Sequence, residues 1–105
     1  MSYIRNIYDE DSWEEAHGYP AGTKIKTLRD EDGAKTVLLK LPKGFRMESH
    51  AHMYNEQHLV LSGEYESSGE VFPFSTYRLI RAGDNHGPFT SKTGAVILVI
   101  WDPVK

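Results

Sequence analysis

The side chains able to do chemistry crowd into one stretch. Four of the five His lie between positions 50 and 86, with Glu56 among them. His50-Ala51-His52 sets two imidazoles at i and i+2, and in a strand such side chains leave the same face. Glu56 follows four residues after His52, near enough for its carboxylate to return to the same point. His86 comes thirty residues after Glu56, just past the Gly83 turn. Three neutral imidazoles and one carboxylate are borderline nitrogen and oxygen donors. They suit Fe(II), Zn, Mn, Ni, Co or Cu(II), and suit Ca or Mg poorly. A plainer reading stands beside this one. Lone histidines are usually surface or satisfied residues, and His17 is read that way. An HxH pair alone is weak evidence for a site.

Such a site needs a scaffold, and composition bounds it. A chain of 105 residues suits one compact domain. Lys plus Arg is 12 against 15 for Asp plus Glu, a formal charge of −3, with no basic run. That balance is poor for a phosphate backbone, so no nucleic-acid partner is expected. The lack of Cys removes disulfides, Fe–S clusters, thiolate zinc sites and Cys nucleophiles together. No apolar run approaches the ~20 residues of a membrane span. The first residues, Met1-Ser2-Tyr3-Ile4-Arg5-Asn6, lack a signal-peptide core, and a cytoplasmic globular protein is expected.

Residues 1–22 differ from the rest. Asp9, Glu10, Asp11, Glu14 and Glu15 make them acidic, and Ser12-Trp13-Glu14-Glu15 has the spacing of a capping box. A short irregular or helical segment, anchored by Trp13, is expected to pack on a body formed by residues 23–105. From Lys24 onward the signals are β. Asp30-Glu31-Asp32-Gly33 reads as a hairpin turn, and apolar runs such as Thr36–Leu41, Leu59–Leu61 and Tyr77–Ile80 end in turn residues. About eight short strands, with turns every 8–12 residues, indicate an all-β sandwich or barrel. Ala95–Trp101 is apolar at every position. A strand with one wet face should alternate, so either the N-terminal segment or a partner subunit must cover its second side. A homodimer is the expectation.

The wider spacing identifies a resemblance. Gly44, five residues, His50, one, His52, three, Glu56, six, Gly63 is the first motif of the cupin superfamily. The second motif is looser: Gly83 and His86 are kept, while Arg81, Ser75 and Thr90 replace its Pro, early Gly and trailing Asn. From about Lys24 to Pro103 the chain resembles cupins. The resemblance implies a double-stranded β-helix, the cupin jelly-roll barrel, enclosing one divalent transition metal ion (Fe, Zn, Mn, Ni, Co or Cu). It also implies the ligands His50, His52, Glu56 and His86. Pro42-Lys43-Gly44-Phe45, Arg81-Ala82-Gly83 and His86-Gly87-Pro88-Phe89 look most like one small branch of the superfamily. That branch includes the zinc-binding cupin of bacterial anti-sigma factors and the acetylacetone-cleaving dioxygenase.

Strand parity then proposes a cavity lining. If His50 and His52 face inward, Arg46 and Glu48 do too; if Glu56 does, so do His58 and Val60. Arg46 would hold a carboxylate or enolate substrate, unless it is solvated and paired with Glu48. His58 would be a base or substrate donor, unless it is a buried residue satisfied by a neighbour. Tyr54 would rim the mouth and Phe89 would form wall. Two functions follow. One is a metal-dependent enzyme acting on a small oxygen-rich molecule chelated to the metal. Dioxygenase-type cleavage of a β-dicarbonyl is its concrete form; an isomerase or lyase would use the same ion. Glu56 is a fourth ligand where the acetylacetone-cleaving type is associated with three His. The other is a non-catalytic metal- or ligand-binding sensor with structural zinc. Such regulators carry a separate partner-binding domain, and none is expected within 105 residues.

Overall fold

In a computed structural model, residues 6–48, 54–84 and 87–103 are described. His50, His52 and His86 lie outside them. All regular structure among the described residues is β. Nine strands occur: β1 Glu14–Glu15, β2 Lys24–Glu31, β3 Ala34–Leu41, β4 Phe45–Met47, β5 Tyr54–Ser67, β6 Glu70–Pro73, β7 Tyr77–Ile80, β8 Phe89–Ser91 and β9 Ala95–Pro103. Every pairing is antiparallel, in the order β1-β2-β3-β9-β5-β8-β4, with β6 and β7 also on β5. The sheet curls into the half-barrel of a jelly roll. Among the described residues no helix is long and apolar enough to cross a membrane.

The period-2 pattern explains the curl's inner face. Val37, Leu39 and Leu41 of β3 face Val99, Ile97 and Ala95 of β9 within one buried cluster, and Val60 of β5 joins them. Between β2 and β3 the chain turns through Asp32 (φ 51°) and Gly33 (φ 82°), the left-handed pair of a two-residue hairpin.

β5 carries the site, and it is one strand of 14 residues. It crosses from β9 onto β6 and β8 by a bulge. Val60 pairs with Ile97 but Ser62 with Val96, so one residue is extra. Gly63 (φ 70°) follows, where β5 runs so close to the turn before β9 that an added Cβ would lie 2.1 Å from the Gly94 carbonyl oxygen. The bulge shifts the pleat. Glu56, His58 and Val60 face inward before it; Tyr65 and Ser67 face inward after it.

The N-terminal segment corrects one expectation. Glu14 and Glu15 form β1 on Ile25 and Lys24, not a helical turn. A lone turn bears the full cost of helix nucleation, whereas β1 gains sheet hydrogen bonds and the Lys24–Glu15 ion pair. Trp13 anchors the segment through cations. The Lys26 and Lys40 ammonium groups stand 5.0 and 5.7 Å from its ring centre. Lys26 is 1% exposed and donates to the Asp9 carbonyl.

Cover on the outer face of β9 is partial. The segment reaches Lys40, Leu61 and Val96, with Ile7 and Trp13 facing them. Beyond it, registered rows run Leu98–Leu59–Tyr77 and Ile100–Gln57–Leu79. Tyr77 is 58% and Leu79 41% exposed.

Candidate functional site

Two rungs of the sheet build the site. In the outer rung Lys35, Trp101, Glu56 and Ile80 stand side by side on β3, β9, β5 and β7. In the next, Val37, Val99, His58 and Arg78 do. Glu56 and His58 are 5% and 6% exposed. They share a cavity of about 40 Å³ with Tyr65, Phe89, Met47 and Tyr19. At 10–15 Å³ for a water, that volume takes about three oxygen-sized groups.

A chain of hydrogen bonds crosses the barrel behind Glu56. Arg78 Nη1 lies 3.3 Å from the Tyr65 hydroxyl, that hydroxyl 2.6 Å from His58 Nδ1, and His58 Nε2 2.8 Å from Glu56 Oε1. Its direction follows from the donors. Arg78 can only donate, so the Tyr65 oxygen accepts and gives its own proton to Nδ1. The proton of the ring then sits on Nε2 and is donated to Glu56. Burial holds the Tyr65 phenol above its usual range. Arg78, by hydrogen bond and charge, opposes this shift, and the Glu56 charge adds to it. Tyr65 therefore remains a donor. Its ring packs on Phe72 and Phe89 at 5.3 and 5.9 Å, and the Arg78 guanidinium lies 4.4 Å above Phe72.

Tyr19 enters from the N-terminal segment. Burial, with the Glu56 charge second, pushes its phenol up to about 12. Outside it an open cleft of about 380 Å³ is lined by Tyr19, Tyr54, Trp101, Lys35, Asp30 and Gly33. The Lys35 ammonium lies 5.8 Å from the Trp101 ring centre.

Glu56, His58 and Phe89 thus meet at the cavity, and Tyr54, 42% exposed, lines the open cleft instead. Arg46 does not line that cavity, and it takes the solvated, Glu48-paired alternative given for it. Its side chain is 59% exposed, with Nε 3.4 Å from Glu48 Oε1. The strand β4 ends at Met47, and its Phe45 and Met47 take the interior. Three residues that sequence reasoning passed over belong to the site. Tyr65 was hidden by the bulge, which reverses parity. Arg78 follows from the β5–β7 register, which sequence does not give. Tyr19 sits in a segment without periodicity.

Among the described residues no three His, Asp or Glu are grouped to hold a metal; three of the four expected ligands lie outside them. The donor chemistry still permits a test of fit. Glu56 is a buried carboxylate in a mostly apolar cavity, aimed by a hydrogen bond from His58. Carboxylates that ligate metals characteristically accept such an outer bond, and a divalent ion would balance the buried charge. Glu56, the one expected ligand among the described residues, fits the group.

Residues 6–105 match the family described as the ChrR cupin-like domain. No curated protein matches the chain. Among solved structures, the anti-sigma factor ChrR of Rhodobacter sphaeroides, in complex with SigE, superposes with a TM-score of 0.74 at 24% identity. The match covers 89% of this chain and 51% of that one, so this chain spans about half its length. An acetylacetone dioxygenase from Acinetobacter johnsonii has a TM-score of 0.82 at 15% identity, covering 96% and 73%. An RmlC-like cupin from Shewanella frigidimarina has 0.77 at 21%, covering 100% and 96%. These likenesses concern the fold.

Proposed function

The chain belongs to the ChrR cupin-like domain family, and from that premise we propose that it is a metal-binding cupin acting as an enzyme on a small, oxygen-rich molecule. His50, His52, Glu56 and His86 hold one divalent transition metal ion. The bound ion supplies Lewis acidity, or electrons if it is Fe or Cu. The chain's own residues do the rest. His58 orients Glu56 and keeps a proton at Nε2; Phe89 and Met47 keep water from the cavity. The observation that carries this reading is that Glu56 and His58 line an inner cavity, one of whose walls, Tyr19, also lines an open cleft of about 380 Å³.

The concrete reaction is dioxygen-dependent cleavage of a β-dicarbonyl. Fe(II)-loaded protein is expected to consume oxygen with at least one member of a β-dicarbonyl panel. No uptake with any of them would sink the dioxygenase assignment. A second reading, a sensor with structural zinc, is favoured by the likeness to an anti-sigma factor seen with its sigma factor. Elemental analysis of protein purified without added metal separates the two. Fe or Cu supports the oxygenase, and tightly held zinc without turnover supports the sensor.

We also propose a homodimer through the uncovered outer rows of Tyr77, Leu79, Leu98 and Ile100. A twofold contact would bury this apolar strip against its own copy. Leu79→Glu is expected to convert dimer to monomer in light scattering coupled to gel filtration. A monomeric wild type at tens of micromolar would refute the interface.

A further inference from the structure

The strand register extends the outer rung one residue further, onto β2. Asp30 pairs with Lys35, Lys35 with Trp101 and Trp101 with Glu56. The first three of these line the open cleft of about 380 Å³, together with Tyr19 and Tyr54. That volume lies in the range of small-molecule sites. Glu56 is not in its walls, so the cleft offers one carboxylate, one ammonium and three aromatic rings.

The two charges are neighbours but not partners. Opposed residues of an antiparallel pair stand roughly 5 Å apart at Cβ. Even so, among the described residues no ion pair or hydrogen bond joins Asp30 to Lys35. The flanking Arg29 and Glu31 pair with each other instead, at 2.9 Å. The Lys35 ammonium leans toward the Trp101 ring, 5.8 Å from its centre. Asp30 and Tyr54 are exposed, while Lys35 and Trp101 are half-buried. A simple anion would gain from Lys35 and lose to Asp30, and a simple cation the reverse. A molecule that carries both charges gains from both, and a flat apolar group on it would cover the rings.

We propose that the cleft binds a zwitterionic α-amino acid with a flat apolar side chain. Its carboxylate meets the Lys35 ammonium and its ammonium meets the Asp30 carboxylate. Its side chain lies along Trp101 and Tyr54. Both charges of such a molecule hang on one carbon, so it reaches two cross-strand neighbours at once. Nothing in this site requires the metal ion, and it is independent of the activity proposed above.

The two Trp residues report on it, since Trp101 lines the cleft while Trp13 lies against Lys26 and Lys40. Full-length, nitrogen-labelled protein is titrated with L-phenylalanine, and the indole N–H signals are followed by NMR. The Trp101 signal is expected to shift saturably and the Trp13 signal to stay. Phenylpropionate, without the amine, and phenethylamine, without the carboxylate, are each expected to bind about fivefold more weakly, as for one partly exposed charged contact. Asp30→Asn is expected to bind phenylalanine and phenylpropionate alike. Lys35→Gln is expected to lose the distinction between phenylalanine and phenethylamine. No Trp101 shift up to the solubility limit of phenylalanine overturns the proposal. So does a preference for the amine that survives Asp30→Asn, because the amine is then held elsewhere, at the metal for instance.

Discussion

Gly63→Ala is expected to lower stability by about 3–5 kcal/mol, enough to leave the domain marginal. Two costs combine. An Ala at φ 70° is in the left-handed region, at roughly 1–2 kcal/mol. Its Cβ would also stand 2.1 Å from the Gly94 carbonyl oxygen and 3.0 Å from the Ala95 Cα. Those atoms are backbone and cannot swing away, so β5 or the turn before β9 must move. For about 100 residues each kcal/mol is worth roughly 4–8 °C, and the fall in melting temperature should exceed 10 °C. Gly69→Ala is the internal comparison. It also has positive φ, 81°, but nothing lies within 4 Å of its Cβ. Only the conformational cost of about 1 kcal/mol should appear there. Equal melting temperatures for the two variants would refute the close-approach argument. The bulge beside Gly63 also decides which face Tyr65 presents, so any Gly63→Ala protein that folds should show a disturbed His58 environment by NMR.

The second large effect is on metal affinity. Glu56→Gln keeps size and shape, and its amide oxygen can still accept from His58. What disappears is the negative charge and a good ligand. Divalent-metal affinity, measured by competition with a chromophoric chelator, is expected to drop at least about 100-fold. The metal-free variant should be no less stable than wild type, because a buried charge has been removed. Tyr65→Phe grades the prediction. It leaves Glu56 and His58 in place but breaks the chain from Arg78, and a loss of roughly 10-fold is expected, as for other outer-shell groups. Affinity within threefold of wild type for Glu56→Gln would remove Glu56 from the ligand set.

Where the sequence could be read, simple periodicity governed the residues. Asp32 and Gly33 announced the hairpin because few residue types accept their backbone angles. β3 and β9 were visible because both bury long apolar runs. From Glu56 through His58 to Val60 an unbroken pleat puts alternate residues on one face, so spacing alone gives their common side. The same rule left Arg46 between two places, and β4, with Phe45 and Met47 inside, gives it the solvated one. It could not find Tyr65, because an inserted residue in a strand leaves little trace in composition. Arg78 reaches the site only through pairing with β5, a long-range register. The capping-box spacing at Ser12 lost to tertiary pairing with Lys24 and Ile25. Tyr19 arrives on a path with no repeat at all, where sequence carries the residue but not its destination.

The order of strands has a consequence for how the molecule is made. β9, the last of the described strands in chain order, lies at the middle of the sheet, between β3 and β5. Lys35 pairs with Trp101 across 66 positions, and Glu56 with Trp101 across 45. Chain-closure entropy must be overcome before either partner gains a neighbour. A nascent chain leaving the ribosome therefore presents β3 and β5 without the strand that joins them. Folding waits for β9, and belongs to the slow, millisecond-to-second class of β proteins. Until then the exposed apolar edges of β3 and β5 are the surfaces a chaperone would meet first.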